Sequence, residues 1–183
     1  ATLIVKEVVV NDDSGTSLAD DFTFQVNGAA AQAFPDDGAP ELESQVQLTV
    51  AAGSYDITEP AVSGYATTYA NCDDVVLAPG GTATCTITND DQPATLIVVK
   101  ELVNDDGGLK QNSDFSFDVA GPTASQDTAF DADGSITLEV AAGSYTVTED
   151  QANLDGYTTT YENCAQVEIP LGGTATFTIT NDD

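Results

Sequence analysis

The sequence repeats itself once, and this repeat restricts the fold more than any other feature. Residues 1–91 and 92–183 realign through ATLIVKE and ATLIVVKE, VAAGSYDITE and VAAGSYTVTE, and GGTATCTITNDD and GGTATFTITNDD. A period of about ninety residues is too long for a solenoid repeat and suits a small self-contained domain. The segment NDDQPA, around Pro93, interrupts the strand pattern. We therefore expect two tandem domains, 1–91 and 92–183, with a very short linker that favours an elongated arrangement.

Each copy shows the two-residue alternation that is typical of β-strands. Residues 82–88 place Ala83, Cys85 and Ile87 on one face and threonine on the other. Glycine and aspartate separate such runs, and no segment keeps a helical period over a useful length. Roughly seven short strands in about ninety residues indicate an Ig-like β-sandwich. The predicted fold class is therefore all-β, with two β-sandwich domains in tandem.

Face parity directs one amide and one acid of each copy toward the core. Asn89 shares its face with Cys85 and Ile87, and Asn181 shares its face with Phe177 and Ile179. The acids follow the same rule in the YDITE and YTVTE strands, where Glu59 aligns with Ile57 and Glu149 aligns with Val147.

Lysine is the third polar residue that parity directs inward. The chain has only three basic residues against 31 acids, yet Lys6 and Lys100 both lie inside apolar strands. Lys100 shares its face with Leu96 and Val98, and we assign Lys6 to the face of Ile4 and Val8. Buried polar groups without partners cost roughly 2–7 kcal/mol each, so we expect Lys, Glu and Asn to meet.

Such a meeting permits chemistry between the three side chains. Burial lowers the pKa of a lysine and raises that of a glutamic acid, because both charged forms lose hydration. A neutral amine is a nucleophile, and a protonated carboxyl can polarise the Asn carbonyl and transfer protons to departing ammonia. The product is a Lys–Asn amide that joins the first and last strands.

The placement of Lys in the first strand, Glu in a Y-x-x-T-E strand and Asn in a final T-I-T-N strand resembles a known family. These motifs are similar to the collagen-adhesin B-type (Cna B-type) and SpaA-like prealbumin-fold domains of bacterial surface adhesins and pili, many of which carry self-generated isopeptide bonds. Carried over, the resemblance implies Lys6–Asn89 bonds promoted by Glu59 and Lys100–Asn181 bonds promoted by Glu149.

The two copies differ around the lysine. An ungapped alignment puts Lys6 opposite Val99, which faces away from the core, and a β-bulge could restore the register. The alternative to a covalent bond is a partly buried Lys–Glu ion pair, with Asn as a hydrogen-bonding residue at the strand end.

Cysteine usage also differs. Cys72 follows the GYATTYAN strand and Cys85 lies in the last strand, a pattern suited to a disulfide worth about 3 kcal/mol that implies an oxidising compartment. The second copy keeps Cys164 but has Phe177 in place of the partner cysteine, so Cys164 is the odd cysteine. We expect it to be a free, inert and buried thiol; the alternative is a disulfide between subunits.

Charge limits the partners. A formal net charge of −28 excludes nucleic acid as an ordinary partner and argues against anionic membranes. The acidic loops offer the oxygen ligands that calcium prefers, and Asp90 and Asp91 are the first choice for a Ca²⁺ site, although no complete calcium motif exists. The alternative is a solvated acidic surface. No other cofactor is required.

These features bear on three function classes. The first is a structural subunit of an extracellular filament, pilus shaft or adhesin stalk on the cell surface, assembled head-to-tail from copies of itself. The second is a surface module that binds a host ligand or glycan, or mediates calcium-dependent adhesion, through the Tyr/Thr-rich GYATTYAN and GYTTTYEN strands. An enzyme is not expected, because the only catalysis indicated is intramolecular. Neither a transmembrane stretch nor a secretory signal is visible, so we expect no membrane insertion and either a processed subunit or a segment of a longer array.

Overall fold

The structure is a computed structural model that describes residues 1–36, 38 and 40–183, without the side chain of Asn153. The chain divides into two compact units, Ala1–Gln92 and Pro93–Asp183, called domain 1 and domain 2 below. In the described part of the chain, helix is confined to three 3-10 turns at Ala19–Asp21, Asn112–Asp114 and Gln151–Asn153. The all-β prediction is confirmed.

Domain 1 consists of nine strands among its described residues. One sheet has the order β4-β1-β9-β7, and shorter sheets β3-β2-β6 and β5-β8 complete the fold. The strands are β1 Thr2–Val10, β2 Thr23–Val26, β3 Gln32–Ala33, β4 Glu43–Thr49, β5 Gly53–Tyr55, β6 Ile57–Thr58, β7 Tyr65–Ala70, β8 Val75–Leu77 and β9 Thr82–Asp91.

Domain 2 repeats this arrangement with a more continuous second sheet. Its sheets have the orders β13-β10-β17-β15 and β12-β11-β14-β16. The single strand β14 replaces the pair β5 and β6, which Asp56 separates in domain 1. The strands are β10 Ala94–Val103, β11 Ser116–Ala120, β12 Ser125–Ala129, β13 Ser135–Val140, β14 Gly143–Glu149, β15 Thr158–Glu162, β16 Val167–Ile169 and β17 Thr174–Asp182.

The first and last strands of each domain are parallel neighbours. β1 pairs with β9 from Thr2 opposite Thr82 to Val10 opposite Asp90. β10 pairs with β17 over nine residues in the same manner. A force applied at the two ends of either domain therefore loads this strand pair, and a side chain that bridges it would hold the domain closed.

The core is built from alternate positions of the strands, as the sequence predicts. Apart from Glu7, the largest fully buried side chains are aromatic and aliphatic, and among them are Phe22, Phe24, Phe115, Phe117 and Tyr145. In domain 2 this core is joined by partly buried side chains of β13, Ile136 and Leu138. Alternation therefore predicts the inward faces of these strands correctly.

The residues of β1 that face the core are not the ones that the sequence analysis assigned to the inner face together with Lys6. The buried residues of this strand are Leu3, Val5, Glu7 and Val9, and the side chain of Lys6 lies on the opposite face. Pairing with β9 is continuous over the whole strand, so no bulge shifts the register. The prediction that Lys6 faces the interior is wrong, because the apolar residues Leu3 and Val5 fix the phase of the strand.

Candidate functional site

Domain 2 brings a lysine, a glutamate and an asparagine together in its core. Lys100 on β10 and Glu149 at the end of β14 form a salt bridge in which both side chains are fully shielded from solvent. Asn181 on β17 is also completely buried. The second sheet contributes Glu149, and the first sheet contributes the other two, so the cluster spans the sandwich.

Aromatic rings enclose the Lys100 amine. Its Nζ lies 4.2 Å from the centroid of the Phe115 ring and 5.8 Å from that of Phe130. Burial lowers the pKa of Lys100, while the hydrogen bond and the charge of Glu149 oppose this decrease. The site therefore favours the neutral, nucleophilic amine more than water does.

Asn181 has no hydrogen-bond partner for either side-chain atom. Its Oδ1 and Nδ2 are both buried and both unpaired. Leaving such a group unsatisfied costs about 1–3 kcal/mol. Asn181 pairs with Leu102 on β10, two residues beyond Lys100, so the amide and the amine lie on the same face of adjoining strands. The carboxamide is therefore buried beside the amine without a competing hydrogen bond.

Glu149 is held in place by two neighbours on β15. Thr159 donates its hydroxyl to Glu149 Oε2 over 3.2 Å, and the Tyr161 hydroxyl accepts from the Glu149 backbone N–H over 3.3 Å. One carboxylate oxygen is thus oriented by Thr159, and the other contacts Lys100. Glu149 is therefore held in position to exchange a proton with the Lys100 amine.

Domain 1 has a second acid where domain 2 has its lysine. Glu7 lies opposite Ile87 on β9, as Lys100 lies opposite Ile179 on β17. The Nδ2 of Asn89 donates to Oε1 of Glu7 and to Oε1 of Glu59, each over 2.8 Å. Thr67 donates to Oδ1 of Asn89 over 2.7 Å. The amide of domain 1 is fully hydrogen-bonded and faces two carboxyl groups.

Both of these acids titrate abnormally. Burial raises the pKa of Glu7 to about 8, although the hydrogen bond from Asn89 opposes the rise and the charge of Glu59 adds to it. Burial also raises the pKa of Glu59, against the effect of its hydrogen bonds. Ionisation of the pair is therefore unfavourable in the folded domain.

Lys6 takes no part in this cluster. Its Nζ forms a half-exposed salt bridge of 2.6 Å with Glu43 on the neighbouring strand β4. The expected Lys6–Asn89 cross-link is therefore not supported, because the amine lies on the outer face of β1. Sequence reasoning missed Glu7, although an ungapped alignment of the two repeats would have placed it opposite Lys100.

The cysteines behave as expected. Cys72 and Cys85 form a disulfide, which confirms the prediction for domain 1. Cys164 is a free, buried thiol that donates to the backbone carbonyls of Glu162 and Thr178. Burial raises the pKa of the Cys164 thiol, so the reactive thiolate is disfavoured. Phe177 is fully buried and has the strand position in domain 2 that Cys85 has in domain 1.

The acids proposed for calcium have a different environment from the one expected. Asp91 is almost fully buried, and its carboxylate accepts from the backbone N–H groups of Asp12, Asp13 and Gly15. Asp90 is exposed next to it. Carboxylates of Asp12, Asp90 and Asp91 do lie within 4.8 Å of one another. Because both Asp91 oxygens already accept hydrogen bonds, the visible role of Asp91 is to hold the loop after β1, and calcium binding stays a prediction.

Domain 2 uses Asp183 in the same way. Its carboxylate accepts from the backbone N–H groups of Asp105, Asp106 and Gly108. These hydrogen bonds lower the pKa of Asp183, and the one from Asp106 has the largest effect. The loop after the first strand is therefore fastened to the end of the last strand in both domains.

The tyrosines of the GYATTYAN and GYTTTYEN segments make internal contacts. Tyr65 donates its hydroxyl to Asn11 and Tyr157 donates to Asn104, each over 2.7 Å. Tyr69 and Tyr161 are about half exposed, but their hydroxyls accept from the backbone N–H groups of the glutamates in the two clusters. These side chains therefore have structural roles within their own domains.

Comparison with known proteins agrees with this description. A family model for the prealbumin-like fold domain matches residues 1–87 and again 91–182. The chain belongs to the prealbumin-like fold family. No curated protein matches the sequence.

Solved structures with this fold are distant in sequence. The TIE protein of Bacillus anthracis is 18% identical, with a TM-score of 0.62, and the alignment covers 100% of this chain and 34% of that one. This chain thus spans about a third of that protein. The major pilin of Streptococcus pyogenes is 16% identical, covering 100% and 98% of the two chains, with a TM-score of 0.39. Two B repeat units of the Staphylococcus aureus collagen-binding protein are 16% identical, with a TM-score of 0.39. That alignment covers 100% of this chain and 49% of the other.

Within the described residues, no helix has the length and apolar character that crossing a bilayer requires.

Proposed function

We propose that the chain is a structural segment of an extracellular filament or surface stalk, and that domain 2 is locked by an isopeptide bond between Lys100 and Asn181. The observation that carries the proposal is the buried Lys100–Glu149 pair beside an asparagine with no hydrogen-bond partner. Membership of the prealbumin-like fold family agrees with the resemblance to surface adhesin and pilus domains that the Lys, Glu and Asn motifs indicate.

The bond forms by transamidation, in which the Lys100 amine replaces the side-chain amide nitrogen of Asn181. A proton passes from Lys100 to Glu149, and the neutral Nζ attacks Cγ of Asn181. Glu149 then donates its proton to Nδ2 as the Cγ–Nδ2 bond breaks, and takes a proton from the attacking nitrogen. One ammonia leaves, so the chain loses about 17 Da for each bond. The closed core supplies proximity and keeps water from hydrolysing the intermediate.

The location of this bond suits a load-bearing role. Lys100 and Asn181 lie on β10 and β17, the first and last strands of the domain, which are parallel neighbours. A tensile force that enters through one strand and leaves through the other would act on the amide bond instead of the backbone hydrogen bonds. Domain 2 would then resist extension without unfolding.

Each domain contains a different covalent reinforcement in this proposal. Domain 1 has Glu7 in the lysine position and cannot form the amide, but it has the Cys72–Cys85 disulfide. Domain 2 lacks the disulfide because Phe177 replaces one cysteine. The number of isopeptide bonds proposed is therefore one, not the two expected from the repeat.

Assembly and location follow from the same proposal. A stalk of such domains would be formed by head-to-tail copies, and an oxidising surface location agrees with the disulfide. A ligand-binding role has less support, because the tyrosines expected to contact a ligand are bonded within their own domains.

Intact mass of the reduced, denatured chain tests the bond. We expect the wild-type mass to fall short of the sequence mass by one ammonia, about 17 Da. Lys100→Arg, Asn181→Ala and Glu149→Ala should each show the full sequence mass. Lys6→Arg is the matched control and should keep the deficit. A wild-type chain at full mass would refute the bond.

A further inference from the structure

The core of domain 1 contains two carboxyl groups at the position where domain 2 has an acid and a base. Glu7 is completely buried, and Glu59 reaches the same asparagine from the other sheet. Oε2 of Glu7 and Oε2 of Glu59 are both buried without a hydrogen-bond partner. The proposed function of the chain makes no use of this pair.

Among the described residues, each cation contacts a group other than these two acids. The chain has three basic side chains, and Lys6 pairs with Glu43, Lys100 pairs with Glu149, and Lys110 lies against Phe115 and Tyr157 in domain 2. The terminal ammonium donates to the carbonyl of Val50.

Neutral polar side chains contact the pair or its partner Asn89. They are Asn89 on β9, Thr67 on β7, which donates to Asn89, and Tyr69, whose hydroxyl accepts from the Glu59 backbone. Two ionised carboxylates in such a site would repel each other strongly in a medium of low dielectric constant.

We propose that Glu7 and Glu59 share a single proton between their Oε2 atoms, so that domain 1 is closed by a reversible acid–carboxylate hydrogen bond where domain 2 has its lysine–asparagine pair. Asn89 supports this bond, because its Nδ2 donates to the Oε1 atom of each acid. One proton satisfies both unpaired oxygens, since the protonated acid donates and the carboxylate accepts. The shared proton and Asn89 thereby join three parts of the domain: β1, β9 and Glu59, which follows β6.

A proton fits this site better than a metal ion. Calcium and magnesium require six or more oxygen ligands, and the pair offers only two unpaired oxygens, both shielded from solvent. The Nδ2 hydrogens of Asn89 already point at the acids, and they would repel a cation. A proton needs no additional ligand.

The shared proton makes domain 1 dependent on pH. The raised pKa of Glu7, about 8, means that the folded domain holds a proton that the unfolded chain releases above the ordinary glutamate pKa. Stability from this group is complete below the unfolded pKa and is lost as pH rises through the folded value. The unfolding equilibrium constant of domain 1 should rise by up to about tenfold per pH unit across this window.

The test uses urea unfolding of the full chain, followed by amide NMR signals of each domain. In the wild type, the domain 1 midpoint should fall as pH is raised from about 5 to about 8, and the domain 2 midpoint should not follow it. In Glu7→Gln and in Glu59→Gln, an amide replaces the shared proton as the donor. Both variants should therefore lose the pH dependence of domain 1.

Each other outcome overturns the proposal. A domain 1 midpoint that is independent of pH in the wild type excludes the shared proton. If Glu59→Gln keeps the full pH dependence, Glu7 titrates alone. If millimolar magnesium stabilises domain 1 at high pH in the wild type and not in Glu7→Gln, a metal ion occupies the site.

A second measurement covers the case in which the variants do not fold. The side-chain carboxyl carbons of Glu7 and Glu59 can be followed by NMR in the folded wild-type chain. A shared proton predicts that both signals move together in one step in the neutral to alkaline range. Two independent steps near the ordinary glutamate pKa would overturn the proposal.

Discussion

Glu7 and Lys100 occupy equivalent positions in the two domains, with opposite charge. Glu7 faces the core opposite Ile87, and Lys100 faces the core opposite Ile179. In both domains the side chain meets a glutamate from the second sheet, Glu59 or Glu149. A single residue thus decides whether this position in the core is a pair of acids or an amine–acid pair beside an amide.

Glu7→Lys should create a second isopeptide bond. The variant places an amine next to Glu59 and Asn89, which completes in domain 1 the set of side chains found in domain 2. We expect its intact mass to fall short of its sequence mass by two ammonia molecules, about 17 Da more than the deficit of the wild type. Glu7→Gln is the control and should lose nothing more. An unchanged deficit in a folded Glu7→Lys chain would show that these three side chains are insufficient for the reaction.

Lys100→Met should destabilise domain 2 strongly. Removal of the amine abolishes the proposed bond and leaves Glu149 as an uncompensated buried charge, which costs about 3–5 kcal/mol. Urea unfolding of the full chain, followed by domain 2 NMR signals, measures the change. Lys100→Met with Glu149→Gln should recover much of the loss, because the charge is gone. If the double variant were no more stable than the single one, an uncompensated charge could not explain the loss.

Loss of the disulfide should affect domain 1 alone. Cys72→Ala with Cys85→Ala removes a cross-link that closes a short loop, and we expect a loss of about 3 kcal/mol in the free energy of unfolding of domain 1. The matched control is Cys164→Ala, which removes the equivalent cysteine of domain 2 without removing a bond. Equal losses in domain 1 from both variants would contradict the structural assignment.

Asp91→Asn should loosen the loop that follows β1. The Asp91 carboxylate accepts hydrogen bonds from three backbone N–H groups. A hydrogen bond to a charged group contributes about 1.5–3 kcal/mol to stability. We expect the free energy of unfolding of domain 1 to fall by about 1–3 kcal/mol, and amide exchange at residues 12–15 to become faster. The exposed neighbour provides the control, since Asp90→Asn should change little. If calcium stabilises the wild type and neither variant, the calcium prediction is supported instead.

Local alternation was sufficient to predict most of the domain 2 site. In β10, β14 and β17, the apolar neighbours Val98, Val147 and Ile179 lie on the same face as Lys100, Glu149 and Asn181, and all are buried. The disulfide could be predicted because Cys72, just after β7, and Cys85, within β9, are only 13 residues apart. The fold class followed from the same alternation and the repeat.

The failure at Lys6 has a definite physical cause. β1 is apolar on both faces, with Ile4, Val8 and Val10 outside and Leu3 and Val5 inside, so alternation within the strand does not reveal its phase. The phase is determined by pairing with β9, which is a contact distant in sequence. The role of Asp91 was missed for a similar reason, because its partners are backbone N–H groups of a loop some eighty residues earlier in the chain.

The most direct test of the Lys100–Asn181 bond is a tryptic digest of the reduced, denatured chain, because trypsin has only three lysine sites, at residues 6, 100 and 110. An acylated Lys100 is not cleaved, so the proposal predicts the peptide 1–6 and one branched species in which 7–110 is joined to 111–183 with the loss of ammonia. Linear peptides 7–100, 101–110 and 111–183, each at its unmodified mass, would contradict it.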